Sequence, residues 1–354
     1  MDGVGTARRS QRVSMINGAS TGRVLVAGHI CVDLTPEVPD RFDVRPGELG
    51  LIGPLRNTVG GCVGGTSRAL SWLGVDVVVA ADVGDDELGA TARRWGSTLG
   101  PDSEIRVREA ATTSYSIVVE PPDADRSFWH HVGANALFDG ADIASSIISD
   151  VDILHVGYPP LLPALSASDG AALIELFTRA RSHRVTTSLD MSVVDGRDDS
   201  VVWSRFLEEV LPHVDVFSPS IDDLVSAGVV SESAGDTLDV AARQLVDLGV
   251  AIAAVSGGAA GIAVRTGAAA RFARAGEAIR SLSNAWYDAA EAVPSPDVEI
   301  VKTTGAGDAA SAGVLAAVLA RCDPRSTLRH ARSTAAAVLG GTMETTEIGR
   351  AVET

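Results

Sequence analysis

The sequence of 354 residues contains few cysteines and comparatively few cationic side chains. Its three cysteines, Cys31, Cys62 and Cys322, have no metal-ligand spacing, and their odd number indicates neither a zinc site nor a disulfide framework. We therefore expect a reducing, cytoplasmic location. Lys and Arg number 29 against 46 Asp and Glu, a formal net charge of −17 that argues against nucleic acid or an anionic membrane as a partner.

Long apolar runs are also missing from the chain. No uninterrupted run reaches the about 18 residues of a membrane-spanning helix, and the N-terminal segment has no apolar stretch typical of a signal peptide. We expect residues 1–22 to form a disordered leader and residues 23–345 to form one domain. Hydrophobic residues make up 45% of the chain, which is enough for a substantial core.

Short apolar runs alternate with amphipathic stretches along the domain. The run at Arg23–Gly28 is typical of a buried parallel strand, and similar runs follow at Val75–Ala81, Asp152–Val156, Val185–Leu189, Val214–Phe217 and Val250–Val255. Helical patterns lie between them, at Gly65–Leu73, Glu87–Leu99, Gly170–Ser182, Val201–Val210 and Thr237–Leu248. This alternation predicts an α/β fold, a central and mostly parallel sheet with helices on both faces and ligands at the carboxyl ends of the strands. The pattern assigns no element to residues 267–296.

The most informative segment is Val-Lys-Thr-Thr-Gly-Ala-Gly-Asp at residues 301–308, which precedes a helix of small residues. At a helix start, the backbone N–H groups of Gly305, Ala306 and Gly307 can converge on an anion such as phosphate. Asp308 beside them could accept a proton from an attacking hydroxyl. The pattern indicates phosphoryl transfer to an alcohol, although Gly-x-Gly-Asp is also an ordinary helix start in which Asp308 would be a cap.

This segment resembles the Asp-Thr-Thr-Gly-Ala-Gly-Asp signature of the ribokinase-like, phosphofructokinase-B type carbohydrate kinases. A second stretch, from Gly60 to Gly89, contains that family's double glycine, its Leu-Gly helix end and its Val-Gly-Asp-Asp turn. The resemblance extends from about Arg23 to Gly341. It implies ATP and Mg²⁺ as cofactors and a small β-sheet lid over the sugar, formed by residues 35–58 and 112–132. It also implies a homodimer formed through the lid.

The resemblance places the sugar substrate against Asp33, Gly60 and Gly61. A carboxylate can accept hydrogen bonds from two sugar hydroxyls, and the alternative is that Asp33 caps a helix or serves a turn. Asn135, which follows the second lid segment, is a further candidate for substrate binding. Gly65 stands where the family usually has Asn, so we expect a substrate that is larger than ribose or differently oriented.

Three aromatic or imidazole side chains are weaker candidates. His130 and His131 lie where the lid returns, and either could bind a hydroxyl or simply face solvent. Tyr158 follows a predicted strand, where it could stack on a ring or pack in a turn.

The resemblance also implies a set of nucleotide contacts. Ser220 and Asp223 stand where the family has Asn-x-x-Glu, so magnesium would be held through water near Asp223, with no direct protein ligand. Ser-x-x-Asp is equally a good helix N-cap. The remaining nucleotide contacts implied by the resemblance are Ser256, Gly258, Gly261 and Thr304.

Lys302 stands where the family has an Asp that helps to bind a potassium ion beside the anion site. An ammonium group and a potassium ion a few Å apart would repel each other. We therefore expect Lys302 to take the place of the monovalent cation, unless its side chain points to solvent.

These features favour an ATP-dependent kinase that transfers the γ-phosphoryl group to a hydroxyl of a sugar or sugar-like polyol. A nucleoside kinase of the same fold is one alternative. A kinase-like protein that binds a metabolite with little catalysis is another, because Gly65, Ser220 and Lys302 all depart from the family pattern. A dinucleotide-binding oxidoreductase is excluded, because the segment after the first strand lacks Gly-x-Gly-x-x-Gly.

Overall fold

The computed structural model describes residues 22–39, 46–121, 126–195, 202–231 and 238–343. Apart from Gly22, the predicted leader therefore lies outside the described residues. The strands are β1 (Arg23–Gly28), β2 (Cys31–Pro36), β3 (Leu55–Gly60), β4 (Asp76–Gly84), β5 (Glu104–Arg108), β6 (Tyr115–Val119), β7 (Ser127–His131), β8 (Ile153–Gly157), β9 (Thr186–Leu189), β10 (Val216–Phe217), β11 (Ile252–Ser256), β12 (Ile262–Thr266) and β13 (Ala290–Val293).

The helices follow the strands in regular alternation over most of the chain. They are α1 (Gly61–Trp72), α2 (Glu87–Gly96), α3 (Ser145–Ser149), α4 (Pro163–Ser182), α5 (Trp203–Val210), α6 (Ile221–Ser226), α7 (Leu238–Asp247), α8 (Ala269–Phe272), α9 (Glu277–Arg280), α10 (Ala306–Leu319) and α11 (Pro324–Leu339). Helix α4 is interrupted by non-helical backbone at Ala167–Gly170. None of the helices within the described ranges is long and apolar enough to cross a membrane.

The larger sheet has nine strands in the order β13-β12-β11-β10-β9-β8-β1-β4-β5. Strands β5 to β11 in this order pair in parallel, and β12 and β13 add an antiparallel edge. Val24 and Val26 of β1 pack into a core with α1 and α10, while Leu25 and Ala27 pack into a second core with α4, α5 and α7. Strands buried on both faces are apolar throughout, and the predicted α/β class with helices on both faces is confirmed.

A separate four-stranded sheet in the order β3-β2-β6-β7 forms the lid. Only His29 and Ile30 separate β1 from β2, and β3 leads directly into α1. The chain therefore enters the lid sheet at the end of β1 and leaves it again at the start of α1. The predicted lid segments, residues 35–58 and 112–132, include most of β3 and all of β6 and β7. Strand β2 begins earlier than predicted, at Cys31, so Asp33 also belongs to the lid sheet.

Three strands of the larger sheet, β5, β12 and β13, were not predicted from the sequence. All three lie at or next to an edge of that sheet, and β5 and β13 are incompletely buried with a mixed apolar pattern. The unassigned residues 267–296 contain β13 and the two short helices α8 and α9. Tertiary contacts and not local patterns select these short elements.

Helix α10 lies in the core and presents no polar face along most of its length. Its residues from Asp308 to Val318 are all buried. A Cβ at Gly313 would lie 2.6 Å from the Cα of Ala331 on α11, so glycine is required for the close approach of these two helices. The small residues that follow the Gly-Ala-Gly-Asp segment therefore place the start of α10 firmly against the rest of the domain.

Asp215, just before β10, is a completely buried carboxylate that joins several elements. Its Oδ1 accepts hydrogen bonds from Arg181 at 2.7 Å and Arg271 at 3.0 Å. Its Oδ2 accepts from the backbone N–H groups of Thr187 at 3.1 Å and Gly276 at 2.9 Å. One side chain thus ties α4, β9 and the segment before α9 together.

We predict that Asp215→Ala lowers the free energy of unfolding by about 3–5 kcal/mol, because it leaves the buried Arg271 guanidinium without a counterion. Equilibrium unfolding in urea measures this change. Glu208→Ala, at an exposed position of α5, is the control and should change stability by no more than about 0.5 kcal/mol. A loss below about 1 kcal/mol in Asp215→Ala would contradict the structural role of this cluster.

Candidate active site

A cavity of about 750 Å³ opens between the larger sheet, the lid sheet and the start of α10. Its floor contains side chains that directly follow parallel strands, namely His29 after β1, Tyr158 after β8, Asp190 after β9 and Ser218 after β10. Strand β1 lies between β4 and β8, so the strand order reverses here. Ligands of open α/β sheets bind at such a point, beyond the carboxyl ends of the strands.

Asp308 lies in the first turn of α10 and faces this cavity with only 5% of its surface exposed. The Tyr158 hydroxyl donates to its Oδ1 at 2.9 Å, and the Thr66 hydroxyl donates to the same oxygen at 3.2 Å. Burial raises the pKa of Asp308 to about 7, even though these two hydrogen bonds favour the ionised form. A carboxyl group with a pKa near neutrality is suited to exchange protons with a bound hydroxyl.

The glycine turn before Asp308 exposes backbone donors to the cavity. Gly305 has a φ of +86° and begins α10 without a side-chain cap. Within the described residues, the N–H groups of Gly305 and Gly307 have no protein acceptor. The N–H of Ala306, in contrast, donates to the carbonyl of Thr303 at 3.2 Å. Two of the three N–H groups expected to bind an anion are thus available as donors, whereas the N–H of Ala306 is already used.

Gly65 on α1 is tied to the position of Asp308. A Cβ at Gly65 would lie 2.0 Å from Asp308 Oδ2. An asparagine at this position, as in the resembled family, could not be accommodated without moving the Asp308 side chain. Glycine at position 65, where the resembled family has asparagine, therefore leaves the space that the Asp308 carboxylate occupies in this chain.

Asp33, Gly60 and Gly61 come together at the lid end of the cavity, as predicted from the sequence. A Cβ at Gly60 would lie 2.0 Å from Asp33 Oδ2, and a Cβ at Gly61 would lie 2.4 Å from Nδ1 of His29. The double glycine thus makes room for two polar side chains. Burial raises the pKa of Asp33, and the Cys31 thiol donates to its Oδ1 at 3.3 Å.

Two imidazoles meet above these glycines. Nε2 of His29 lies 3.3 Å from Nε2 of His130, and the Ser116 hydroxyl lies 3.0 Å from Nδ1 of His130. Burial lowers the pKa of His29 well below its usual range and that of His130 to about 4, so both rings are neutral near pH 7. His131 is exposed and bonds to Thr112 at 2.8 Å instead. Only one member of the histidine pair therefore reaches the cavity, and the contribution of His29 was not predicted.

Asn135 does not line the cavity, contrary to the sequence-based expectation. Its side chain is fully buried, where Nδ2 donates to the carbonyl of Ile30 at 2.9 Å and Oδ1 accepts from the N–H of Ile30 at 3.3 Å. Both amide atoms therefore stabilise the junction between β1 and β2. Asn135 positions the lid strand, and it is not among the residues that line the cavity.

The opposite end of the cavity contains the residues expected to contact a nucleotide. Ser220 begins α6 with a capping box, in which Ser220 Oγ accepts from the N–H of Asp223 at 3.1 Å and Asp223 Oδ2 accepts from the N–H of Ser220 at 2.8 Å. The N-cap interpretation is confirmed, yet both side chains also line the cavity. Burial raises the pKa of Asp223 to about 6. The same end is lined by Ser256, Gly258 and Gly261.

Asp190 is a buried carboxylate in the cavity that we did not predict. Its Oδ2 accepts from the Ser311 hydroxyl at 3.1 Å. Burial raises its pKa well above the usual range, and the charges of Asp308 and Asp223 raise it further. The available signal was an acidic residue directly after the buried parallel strand β9.

The negative charges of Asp223 and Asp308 both act unfavourably on Asp190, so a cation near these carboxylates would be stabilised. Among the described residues, no three His, Cys, Asp or Glu side chains come together as a direct metal site. Mg²⁺ commonly binds through one or two carboxylates, water and substrate phosphates. The donor set therefore fits a magnesium ion that is bound together with a nucleotide.

Lys302 and Thr304 lie on the lid side of the glycine turn. The Thr304 hydroxyl donates to Oε1 of Glu120 on the lid at 3.3 Å. The Lys302 side chain is half-buried and lines the cavity beside Asp33 and Glu120, so it does not simply point to solvent. Thr304 therefore links the turn to the lid, although it also lines the larger cavity where a nucleotide contact was expected.

Comparison with known proteins identifies relatives over almost the whole chain. The sequence profile of the family described as pfkB family carbohydrate kinase matches residues 21–346. The chain is also 28% identical over 319 residues to the ATP-dependent ribose-1-phosphate kinase of Halopiger xanaduensis, a match that covers 90% of this chain and 92% of that protein.

Solved structures share the fold. A putative ribokinase II from E. coli in complex with ATP and Mg²⁺ superposes with a TM-score of 0.68 at 18% identity, covering 92% of this chain and 96% of the other. The nucleoside kinase of Burkholderia thailandensis in complex with inosine superposes with a TM-score of 0.62 at 17% identity, covering 89% and 91% of the two chains. At these identities the superpositions establish the fold alone.

We predict that Tyr158→Phe raises the pKa of Asp308 above the wild-type value of about 7, because the Tyr158 hydroxyl donates to the ionised carboxylate. NMR titration of protein labelled at the aspartate carboxyl carbons measures this pKa, with the Asp308 signal assigned by its loss in Asp308→Asn. Tyr115→Phe, the same change at a lid residue outside the cavity, should leave the midpoint unchanged. A wild-type midpoint near 4, or no change in Tyr158→Phe, would refute the described environment of Asp308.

Proposed function

Because this chain belongs to the pfkB family of carbohydrate kinases, we propose that it transfers the γ-phosphoryl group of ATP to a hydroxyl of a sugar or sugar-like polyol. One observation carries the proposal. The buried carboxyl of Asp308, with a pKa of about 7, directly follows the available N–H groups of Gly305 and Gly307 in a cavity that also contains Asp33. A proton acceptor and an anion site thus stand side by side.

In the proposed reaction, Asp308 accepts the proton of the acceptor hydroxyl as its oxygen forms a bond to the γ-phosphorus. The bond from that phosphorus to the bridging oxygen breaks, and ADP leaves. The N–H groups of Gly305 and Gly307 stabilise the negative charge on the transferred group. Tyr158 and Thr66 hold the Asp308 carboxylate in one orientation, since both donate to the same oxygen.

The lid end of the cavity is proposed to bind the acceptor. Asp33 can accept hydrogen bonds from sugar hydroxyls, and the neutral rings of His29 and His130 can each donate or accept one. The glycines Gly60 and Gly61 allow the acceptor to approach the backbone closely. The sugar phosphate named for the Halopiger relative and the nucleoside bound by the Burkholderia structure extend the acceptors worth testing to both classes.

The other end of the cavity is proposed to bind ATP. The backbone around Gly258 and Gly261 would contact its phosphates, and apolar residues that line the cavity from α11, among them Val338 and Leu339, would contact its base. Asp190 and Asp223 would hold Mg²⁺ through water, and a bound magnesium ion would offset the charge of the nucleotide phosphates. A cytoplasmic location remains a prediction.

We also propose a homodimer formed through the lid. Ile117 of β6 and Trp129 of β7 are directly opposite in the sheet register and are 38% and 52% exposed. Leu49 and Leu51, in the connection between β2 and β3, are 91% and 85% exposed. Exposed apolar side chains that are neighbours on a sheet, as Ile117 and Trp129 are, are typical of an interaction surface.

The test of the proposed activity is ADP formation with Mg²⁺, ATP and a panel of sugars, sugar phosphates and nucleosides. We predict that Asp308→Asn lowers kcat for the best acceptor by about 10²-fold or more, because a positioned general base contributes that much. Circular dichroism and thermal unfolding should show that the variant is folded. Activity within a few-fold of wild type would rule out Asp308 as the base.

Asp33→Ala provides the contrasting variant in this assay. Its hydrogen bonds go to the acceptor alone, so it should raise the acceptor KM far more than the ATP KM. Equal changes in both KM values would show that Asp33 is structural. If wild-type protein forms no ADP with any acceptor, the kinase proposal itself fails.

For the assembly, we predict a dimer in sedimentation velocity that Ile117→Glu and Trp129→Glu convert to monomer, because each variant buries a charge in the proposed interface. Val202→Glu, at the N-cap position of α5 and 61% exposed, is the control and should leave the assembly unchanged. A wild-type monomer at micromolar concentration would contradict the proposal.

A further inference from the structure

Three polar side chains connect the carboxylate of Asp33 to the imidazole of His29 and form a hydrogen-bond relay along the lid. Cys31 Sγ lies 3.3 Å from Oδ1 of Asp33, and the Ser116 hydroxyl lies 3.8 Å from that sulfur. The same hydroxyl lies 3.0 Å from Nδ1 of His130, whose Nε2 lies 3.3 Å from Nε2 of His29. The thiol, the hydroxyl and each neutral imidazole have one proton to donate, so the direction of one hydrogen bond fixes the next.

The direction of the relay follows first from its Asp33 end. Burial raises the pKa of the Cys31 thiol well above its usual range, so the thiol keeps its proton and donates it to Asp33. The sulfur can then only accept, and the Ser116 hydroxyl donates to it. The oxygen of Ser116 in turn accepts from Nδ1–H of His130. The single ring proton of His130 is therefore on Nδ1, which leaves its Nε2 as a bare acceptor.

The opposite end of the relay gives the same direction. Nδ1 of His29 faces Gly61, the first residue of α1, where a Cβ would lie 2.4 Å from this nitrogen. Within the described residues, this buried nitrogen has no hydrogen-bond partner. A proton on Nδ1 would lie beside the positive end of the helix without an acceptor, whereas a bare nitrogen is favoured there. The ring proton of His29 is therefore on Nε2, which faces His130.

The two Nε2 atoms consequently form a pair of fixed polarity, with a donor on His29 and an acceptor on His130. Both rings line the cavity. Their contact of 3.3 Å is longer than a typical N–H hydrogen bond of about 2.9–3.0 Å, so a ligand that reaches both atoms can replace it. The Ser114 hydroxyl lies 3.4 Å from Nε2 of His130, but it donates to the carbonyl of His131 at 2.8 Å. Ser114 therefore supplies no proton to this pair.

We propose that this pair recognises one hydroxyl of the acceptor that does not react, with Nε2–H of His29 donating to the hydroxyl oxygen and Nε2 of His130 accepting the hydroxyl proton. The inference rests on the proposed kinase function and gives its acceptor site a direction of hydrogen bonding. A hydroxyl both donates and accepts, so it satisfies both nitrogens. A fluorine atom can only accept, and a methylene group does neither. The pair therefore selects acceptors that carry a hydroxyl at one further position.

The first experiment reads the two tautomers directly, in protein without ligand. Long-range ¹H–¹⁵N NMR correlation of protein labelled at its seven histidines distinguishes protonated from bare ring nitrogens. The signals are assigned by their loss in His29→Gln and in His130→Leu. The proton of His130 is expected on Nδ1 and that of His29 on Nε2. The opposite position in either ring, or an even mixture of tautomers, would overturn the inference.

Ser116→Ala removes the oxygen that holds the proton of His130 on Nδ1. His130 should then populate the Nε2–H tautomer, so that two N–H groups face each other across the pair. Ser114→Ala is the matched control, because it removes a hydroxyl near the same ring that takes no part in the relay, and it should leave both tautomers unchanged. An unchanged tautomer of His130 in Ser116→Ala would show that the relay does not set it and would also overturn the inference.

The second experiment tests recognition with the best acceptor of the kinase assay and its monodeoxy and deoxyfluoro analogues. At one position other than the reacting hydroxyl, both analogues should lower the wild-type kcat/KM by about 10-fold or more, the usual effect of leaving a buried polar group unpaired. In His130→Leu, the parent and both analogues at that position should agree within about threefold, with the ATP KM unchanged. Lost discrimination at a single position is a result that a merely structural role of His130 would not give.

The outcomes separate this inference from the proposed activity. If His130→Leu discriminates against the analogues as strongly as wild type does, the inference fails while the kinase function stands. If no acceptor forms ADP, the kinase function fails, and calorimetric titration with ribose, inosine and their deoxy analogues decides the inference. Weaker binding of a deoxy analogue to wild type, with the difference lost in His130→Leu, would support it. Equal binding of parents and analogues to wild type would overturn it.

Discussion

The carboxyl group of Asp308 is buried and therefore loses hydration. The free-energy cost of this desolvation constrains much of the surrounding site. A buried carboxylate is tolerated only where hydrogen bonds and nearby positive charge stabilise it. Tyr158 and Thr66 supply the hydrogen bonds at 2.9 and 3.2 Å, and Arg68 supplies a positive charge. The remaining penalty raises the pKa of Asp308 to about 7. Gly65 belongs to the same constraint, because any side chain there would collide with the carboxylate.

Charged side chains of both signs line the cavity. Asp190 and Asp223 lie where we propose that the nucleotide binds, and their charges would oppose a polyphosphate unless a cation is present. Arg68 and Lys302 bring positive charge to the end of the cavity near Asp33. Asp308 lies between these groups, within reach of the fields of Asp190 and Arg68.

The lid sheet and the larger sheet together supply the side chains at one end of the cavity. Strand β2 carries Asp33, β3 carries Arg56, and β7 carries His130, while the larger sheet supplies His29 and Tyr158. Asn135 fixes the backbone between β1 and β2 at Ile30, so the two sheets meet at a defined junction. The acceptor end is therefore assembled from both sheets. Its geometry depends on how the lid is held, and the Thr304 contact with Glu120 joins the lid to the glycine turn as well.

The sequence by itself determined the α/β class, the parallel strands and the positions of Asp33, Gly60, Gly61 and Asp308, because buried runs and glycine turns are local patterns with local physical causes. It did not determine the roles of Asn135 or Arg68, since an amide or a guanidinium has the same local pattern whether it binds backbone or ligand. The surroundings of Asp190 and His29 likewise come from strands that are distant in the sequence and adjacent in the sheet. Burial, pKa values and the division of charge arise from contacts between residues far apart in the chain, and those contacts exist only in the tertiary structure.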